Sequence, residues 1–172
     1  MKPKISPTQH EVLLDDTDII ISKTDLTGRI TYANRVFMRI ANYPESKLLN
    51  VQHNIVRHPD MPRGAFKLLW DTLHAEKEIF AYVKNITADG DFYWVYANVT
   101  PDRDSQGKVV GYFSVRRRPK REALKIIEPI YREMLEIERR AGPATAPAAS
   151  VAFLSDKLKA LGSTYDQFVL GL

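Results

Sequence analysis

The sequence predicts an α+β domain, a five-stranded antiparallel sheet with short helices on one face. Three observations carry this. A β-branched run, Ile19-Ile20-Ile21, is followed across a turn by a second short β segment. A strongly β sector from Ile79 to Arg116 is cut twice by turn signals, at Asp89-Gly90 and at Asp104-Ser105-Gln106-Gly107. Between the two groups lies a stretch with helical spacing, which supplies the crossover that joins them in one sheet.

Taken in order, residues 1–17 are polar and carry two prolines, so they are expected to form a flexible lead-in. Asp25-Leu26-Thr27-Gly28 is a turn, and Arg29 to Ala33 is the second strand of a hairpin across Gly28. Asn34 is placed as the N-cap of a helix carrying Val36, Phe37 and Ile40. Tyr43-Pro44-Glu45-Ser46 breaks that helix, and Lys47-Leu48-Leu49 makes at most one further turn. Phe66, Leu69, Trp70 and Leu73 recur at spacings of three and four, which predicts an amphipathic helix opened by Pro62.

Ile79 to Ile86, Phe92 to Thr100 and Lys108 to Arg116 then form a meander of antiparallel neighbours. From Pro119 the pattern turns helical. Leu124, Ile127, Ile130, Tyr131, Met134, Leu135 and Ile137 form an apolar stripe that Pro129 should kink or interrupt. Gly142 to Pro147 reads as a linker, Val151 to Leu161 as a short helix, and Ser163 as the N-cap of another. The expected regions are a lead-in over 1–17, a core domain over 18–118 and a C-terminal helical extension over 119–172.

Composition narrows the function classes. A chain of 172 residues buries about 70% of its unfolded surface, enough for a core without staples. The absence of cysteine excludes disulfides, thiolate metal sites, Fe–S clusters and cysteine nucleophiles, and fits a reducing compartment. No stretch approaches the roughly 18 apolar residues of a membrane span. No apolar run follows the first lysines, so no secretory signal is read and the cytoplasm is the expected location. Much of the excess behind the net charge of +4 lies in residues 116–121, taken as a solvated element boundary and not as a nucleic-acid surface. Asp15, Asp16 and Asp18 are taken as a solvated acidic cluster. No G-x-S-x-G, P-loop or G-x-G-x-x-G occurs, so no enzyme is expected.

Strand alternation separates two sheet faces. Ile79, Ala81, Val83 and Asn85 share one face, as do Tyr93, Val95, Ala97 and Val99, and these small-residue faces are taken as inward. Alanines there leave room either for a guest or for helix side chains, and Asn85 offers both donors and an acceptor. The opposite face carries Phe92, Trp94 and Tyr96. It is either a docking surface or is covered by the Leu124 stripe, which alternatively pairs two copies. The segment His53-Asn54-Ile55-Val56-Arg57-His58-Pro59-Asp60-Met61-Pro62 holds two histidines, an arginine and an aspartate. Its ligand count is poor for a metal. Arg57 suits a phosphate or carboxylate, with His58 and Asp60 fixing it or capping the next helix. A rigid polar loop whose charges satisfy one another fits the same residues.

From about Asp16 to Arg118 the chain resembles a PAS domain. Asp25-Leu26-Thr27-Gly28-Arg29-Ile30-Thr31-Tyr32-Ala33-Asn34 resembles the general PAS entry. The His53–Pro62 segment, Phe66, Trp70, Val83-Lys84-Asn85, Gly90-Asp91 and Tyr93-Trp94-Val95 resemble the PAS sensor of the bacterial aerotaxis receptor family. The resemblance implies a PAS fold and non-covalent FAD between sheet and helices. It further implies redox or oxygen sensing coupled to chemotaxis through a membrane chemoreceptor-type transducer. The implied flavin-associated positions are Asn34, Arg57, His58, Asp60, Phe66, Trp70, Asn85 and Tyr93. The roles the resemblance implies would set Arg57 and His58 toward the polar part of the cofactor, Asn34 and Asn85 near its ring, and Trp70 packing on it. Where the family places an aromatic, this chain has Ile79, which changes the pocket's shape. Since soluble helices end at Leu172, the chain is similar to the separate PAS partner of bipartite energy-taxis systems, either as a monomer or as a homodimer through the sheet or the C-terminal helices. Haem held by His53, His58 or His74, and a cofactor-free interaction module favoured by Ile79, Phe80 and Tyr82, are the alternatives.

Overall fold

The computed structural model describes residues 5–172, so the reading of the first four residues lies outside the described residues. The β-rich segments form β1 (Ile20–Asp25), β2 (Ile30–Ala33), β3 (Ile79–Ile86), β4 (Phe92–Arg103) and β5 (Val109–Arg117). All pairings among them are antiparallel, and the spatial order is β2-β1-β5-β4-β3. The last strand therefore lies in the middle. It pairs β1 in the register Ser22↔Ser114 and Ile20↔Arg116, and β4 in the register Ala97↔Arg116.

On the inner face, α1 (Arg35–Ala41) starts at Asn34, whose side chain accepts from Phe37 N at 2.9 Å. A single-turn α2 (Glu45–Leu48) and a 3₁₀ turn at His53–Val56 lead to α3 (Arg63–His74). Phe37, Ile20, Ile30, Leu48 and Tyr93 are fully buried where helices meet sheet. Each such apolar side chain stabilises the fold by about 1.5–3 kcal/mol.

The C-terminal stripe covers the outer face of the sheet. It forms α4 (Arg121–Ala141), which runs through Pro129 without interruption, followed by α5 (Ala146–Ala160) and α6 (Tyr165–Gly171). Tyr131 stacks on Trp94 at 6.3 Å and donates to the Tyr82 carbonyl at 2.7 Å, while Tyr165 donates to the Phe80 carbonyl at 2.9 Å. Trp94 is buried by these contacts, so the aromatic face is taken up within the chain and is not an open docking surface. The expected linker is shorter than Gly142 to Pro147, because Ala146 and Pro147 already belong to α5, where a first-turn proline is tolerated. The cap of α6 is Thr164 in a capping box with Gln167, not Ser163.

The lead-in is docked where flexibility was expected. Thr8 N donates to the Gly90 carbonyl, Glu11 bridges Phe92 in parallel, and Leu14 is buried. Gly90 is needed there: at φ 98° it sits so close to Ser6 that a Cβ would lie 2.2 Å from the carbonyl oxygen. Among the described residues the acidic cluster meets the basic run through Asp16 and Arg118, and each also pairs elsewhere. Asp18 pairs with Arg39, Asp16 with Arg118 at 2.9 Å, and Glu11 with Arg121 at 2.8 Å.

Candidate functional site

Between α3 and the inner face of the sheet lies a cavity of about 200 Å³. Its apolar sides come from Phe66, Leu69 and Trp70 of α3 and from Val83, Ala97 and Val99 of β3 and β4. Small side chains at Ala97 and Val83 keep it open, because large residues at inward positions would close the gap between helix and sheet. Asn85, Arg57, His53, Ser22 and Arg116 give it a polar end.

Four of the eight expected site residues meet in this wall: Arg57, Phe66, Trp70 and Asn85. An isolated bridge between Arg57 and Asn85 pulls the His53–Pro62 segment against the end of β3. The Arg57 guanidinium lies 4.1 Å over the Phe66 ring and donates to the Met61 carbonyl at 3.3 Å. Burial lowers its pKa, partly offset by Glu138. Trp70 stands edge-on to Tyr112 at 5.3 Å and close above Gly28, whose φ of 81° and missing Cβ admit the indole.

The other four lie elsewhere. Asn34 spends its side chain on structure, accepting from Ile21 N and Phe37 N and donating to the Ile19 carbonyl, and does not line the cavity. His58 is buried, edge-on to Phe92 at 6.1 Å, with Asp60 N donating to its Nδ1 at 3.1 Å. Burial and the Lys84 charge push its pKa down to about 4 against the pull of Asp60. The exposed Asp60 carboxylate pairs with Lys84 Nζ at 2.9 Å. Tyr93 is fully buried in the core, opposite Asn85 in the β3–β4 register. Its hydroxyl has no hydrogen-bond partner among the described residues, although the Asn85 amide stands beside it, and burial raises its pKa. Ile79 is also off the cavity, packed with Leu73 and Tyr112.

The reading of residues 116–121 as a solvated boundary fails at its first member. Arg116 is 2% exposed and faces the cavity from β5. Nη2 donates to Ser22 Oγ at 2.6 Å, and the guanidinium lies 4.4 Å over the Phe37 ring. Burial lowers its pKa to about 10. Ser22 Oγ also lies 3.1 Å from His53 Nε2, and His53 stacks on Phe37 at 5.7 Å. Burial, then the charge of Arg116, pushes the His53 pKa down to about 3, so the imidazole is neutral. Tyr112, Ser114 and Arg116 alternate inward on β5, a period-two signal present in the sequence but masked by the arginines that follow.

Residues 30–116 match the family model for the PAS fold. The chain belongs to the PAS family. As a PAS domain it is 40% identical over 127 residues to the aerotaxis receptor of Escherichia coli (strain K12), covering 74% of this chain and 25% of that protein. It is 30% identical over 105 residues to the nitrogen fixation regulatory protein of Klebsiella pneumoniae, covering 61% of this chain and 21% of that one. The PAS domain thus spans a quarter of the length of these relatives, or less. Among solved structures it resembles a light-oxygen-voltage domain studied with a flavin analogue, with TM-score 0.56 and 21% identity over 72% of this chain and 87% of that one. It also resembles the light state of the blue-light photoreceptor Aureochrome1 LOV, with TM-score 0.55 and 23% identity over 64% and 88%. At these identities the likeness is one of fold. No helix among the described residues is long and apolar enough to cross a membrane.

Proposed function

We propose that this PAS domain holds FAD non-covalently and works in the cytoplasm as a redox sensor for aerotaxis or energy taxis. In this reading it passes its state to a chemoreceptor-type membrane transducer and catalyses no net reaction. The observation that carries the reading is the cavity itself, with apolar walls bearing aromatic rings and an amide and two guanidinium groups at its polar end. That donor set fits a flat heteroaromatic ring with a polar imide edge. The 40% identity to an aerotaxis receptor supports the pathway.

Flavin, when bound, supplies reversible electron uptake accompanied by changes in charge and hydrogen-bonding pattern. Phe66 and Trp70 would exclude water from its ring, and Asn85, as both donor and acceptor, would follow a changed edge by rotating its amide. Arg57, already partly desolvated where it lines the cavity, would hold a phosphate through its planar fork. Output requires the two redox states to favour two conformations differently. The route in this chain is α3, which carries Phe66 and Trp70 and whose first amides are held by Glu138 of α4.

An absorption spectrum of gently purified protein tests the reading. A flavin spectrum, present as purified or restored by incubation with FAD, is expected. A colourless protein that takes up no flavin overturns it. For haem, His53 lines the cavity while His58 and His74 do not, so a Soret band abolished by His53→Ala would mark that alternative. The cofactor-free reading is disfavoured because Phe80 and Tyr82 pack beneath α6 and α4 and leave the cavity open.

A further inference from the structure

Arg116 is a buried cation with no counter-charge. No carboxylate pairs with it among the described residues, and the Tyr93 hydroxyl nearby stays neutral because burial raises its pKa. Nη2 is used by Ser22 Oγ, while Nε and Nη1 are buried and meet no acceptor among the described residues. His53 gives no relief. With Ser22 Oγ accepting from Arg116, its hydrogen is free to donate to His53 Nε2. The imidazole is therefore an acceptor engaged with the serine. The register pairs Arg116 with Ala97, and both residues line the cavity.

An unpaired charge and two donor nitrogens without acceptors in a buried site are strongly unfavourable. They are tolerable where a ligand supplies the acceptors, and an arginine fork suits two adjacent acceptor atoms on one planar edge. We propose that Arg116, positioned by Ser22, is the anion-selecting residue of the cavity, binding the edge of the ligand that carries or gains negative charge. The proposal rests on the flavin reading and deepens it. Two electrons and one proton added to a neutral flavin ring leave it with one negative charge. Arg116 thus holds the reduced form more tightly than the oxidised form and raises the midpoint potential. The same charge destabilises the chain when no ligand is present.

The test uses the full chain with Arg116→Met and Arg116→Lys. Three quantities are measured: thermal unfolding without flavin, FAD affinity by fluorescence titration, and midpoint potential by anaerobic dithionite titration. Arg116→Met is expected to unfold at a higher temperature than wild type without flavin and to bind FAD at least tenfold more weakly. Its midpoint potential should fall by at least about 30 mV, a tenfold change in relative affinity for a two-electron couple. Arg116→Lys keeps the charge without the fork and should fall between. Wild-type-like affinity and potential in Arg116→Met overturn the proposal. If wild type takes up no flavin, the flavin reading fails and the unfolding arm decides alone. A stabilised Arg116→Met then still assigns Arg116 to an anionic ligand, and a destabilised one makes it a structural residue and overturns the proposal.

Discussion

The Glu138 carboxylate of α4 accepts from the backbone N–H of Gly64, Oε1 to N at 2.8 Å, while its Oε2 accepts from Arg63 N at 2.9 Å. These are the first two amides of α3, a helix whose own cap position is Pro62 with no side-chain cap. A carboxylate from the C-terminal extension thus supplies what an N-cap residue would, at the end where the helix dipole favours negative charge. Ser150 of α5 donates to the same Oε1 at 2.6 Å, and Gly64 leaves no room for a Cβ, which would lie 2.1 Å from Ser150 Oγ. The extension is in this way joined to the helix that walls the cavity.

Glu138→Ala leaves two helix amides without their acceptor and the buried Ser150 hydroxyl with only the Pro147 carbonyl at 3.3 Å, which should destabilise the chain by about 2–4 kcal/mol. Urea unfolding at neutral pH measures this, and Glu138→Gln, which retains one acceptor oxygen, should lose less. Limited proteolysis of Glu138→Ala should cut first between α4 and α5. An unfolding midpoint equal to wild type would remove the link between the cavity helix and the extension.

Stability should fall on acidification. The folded pKa values of His53 and His58 are depressed to about 3 and about 4, from an ordinary value near 6.5. Below about 6.5 the unfolded chain therefore binds protons that the folded chain refuses. The stability from these neutral imidazoles is complete above about 6.5 and is lost as pH falls toward about 4 and then about 3. The urea midpoint should be lower at pH 5 than at pH 7.5, and His53→Gln should shrink that difference. An undiminished difference in the variant would show that His53 is not held neutral by burial.

Ala97→Leu adds bulk to the cavity wall beside Arg116. Each methylene buried in open space contributes up to about 0.8 kcal/mol, so the ligand-free chain should be unharmed or slightly more stable. The same substitution should abolish flavin uptake. Circular dichroism and an FAD titration measure the two effects, and undiminished FAD affinity would place the ligand elsewhere.

The parts of this architecture that follow from local periodicity could be read in the sequence. The β-branched runs, the Gly28, Gly90 and Gly107 turns and the Phe66–Leu69–Trp70–Leu73 spacing lead to the observed strands and to α3. Inward alternation correctly brought Asn85, Val83 and Ala97 to one cavity. Non-local pairing was not legible. The docking of residues 8–14 rests on backbone bonds to Gly90 and Phe92, polar contacts with Asp91 and Arg121 and burial of Leu14, all against partners distant in sequence. Glu138 reaches α3 across 74 positions and looks like any charged helix residue. Arg116 was hidden because a residue in a run of arginines carries the same charge whether it faces solvent or a cavity. Asn34, His58, Asp60 and Tyr93 do not line the cavity: Asn34 caps α1, His58 and Tyr93 are buried, and Asp60 pairs with Lys84.

The central claim is that the space between α3 and the sheet takes a flavin. The chain has two tryptophans, of which Trp70 lines the cavity and Trp94 stacks on Tyr131 on the opposite face. In a Trp94→Phe variant, tryptophan fluorescence reports the cavity alone. Titration with FAD should quench it saturably, with an end point at one flavin per chain. A folded Trp94→Phe protein whose Trp70 emission shows no saturable response to FAD would contradict the account.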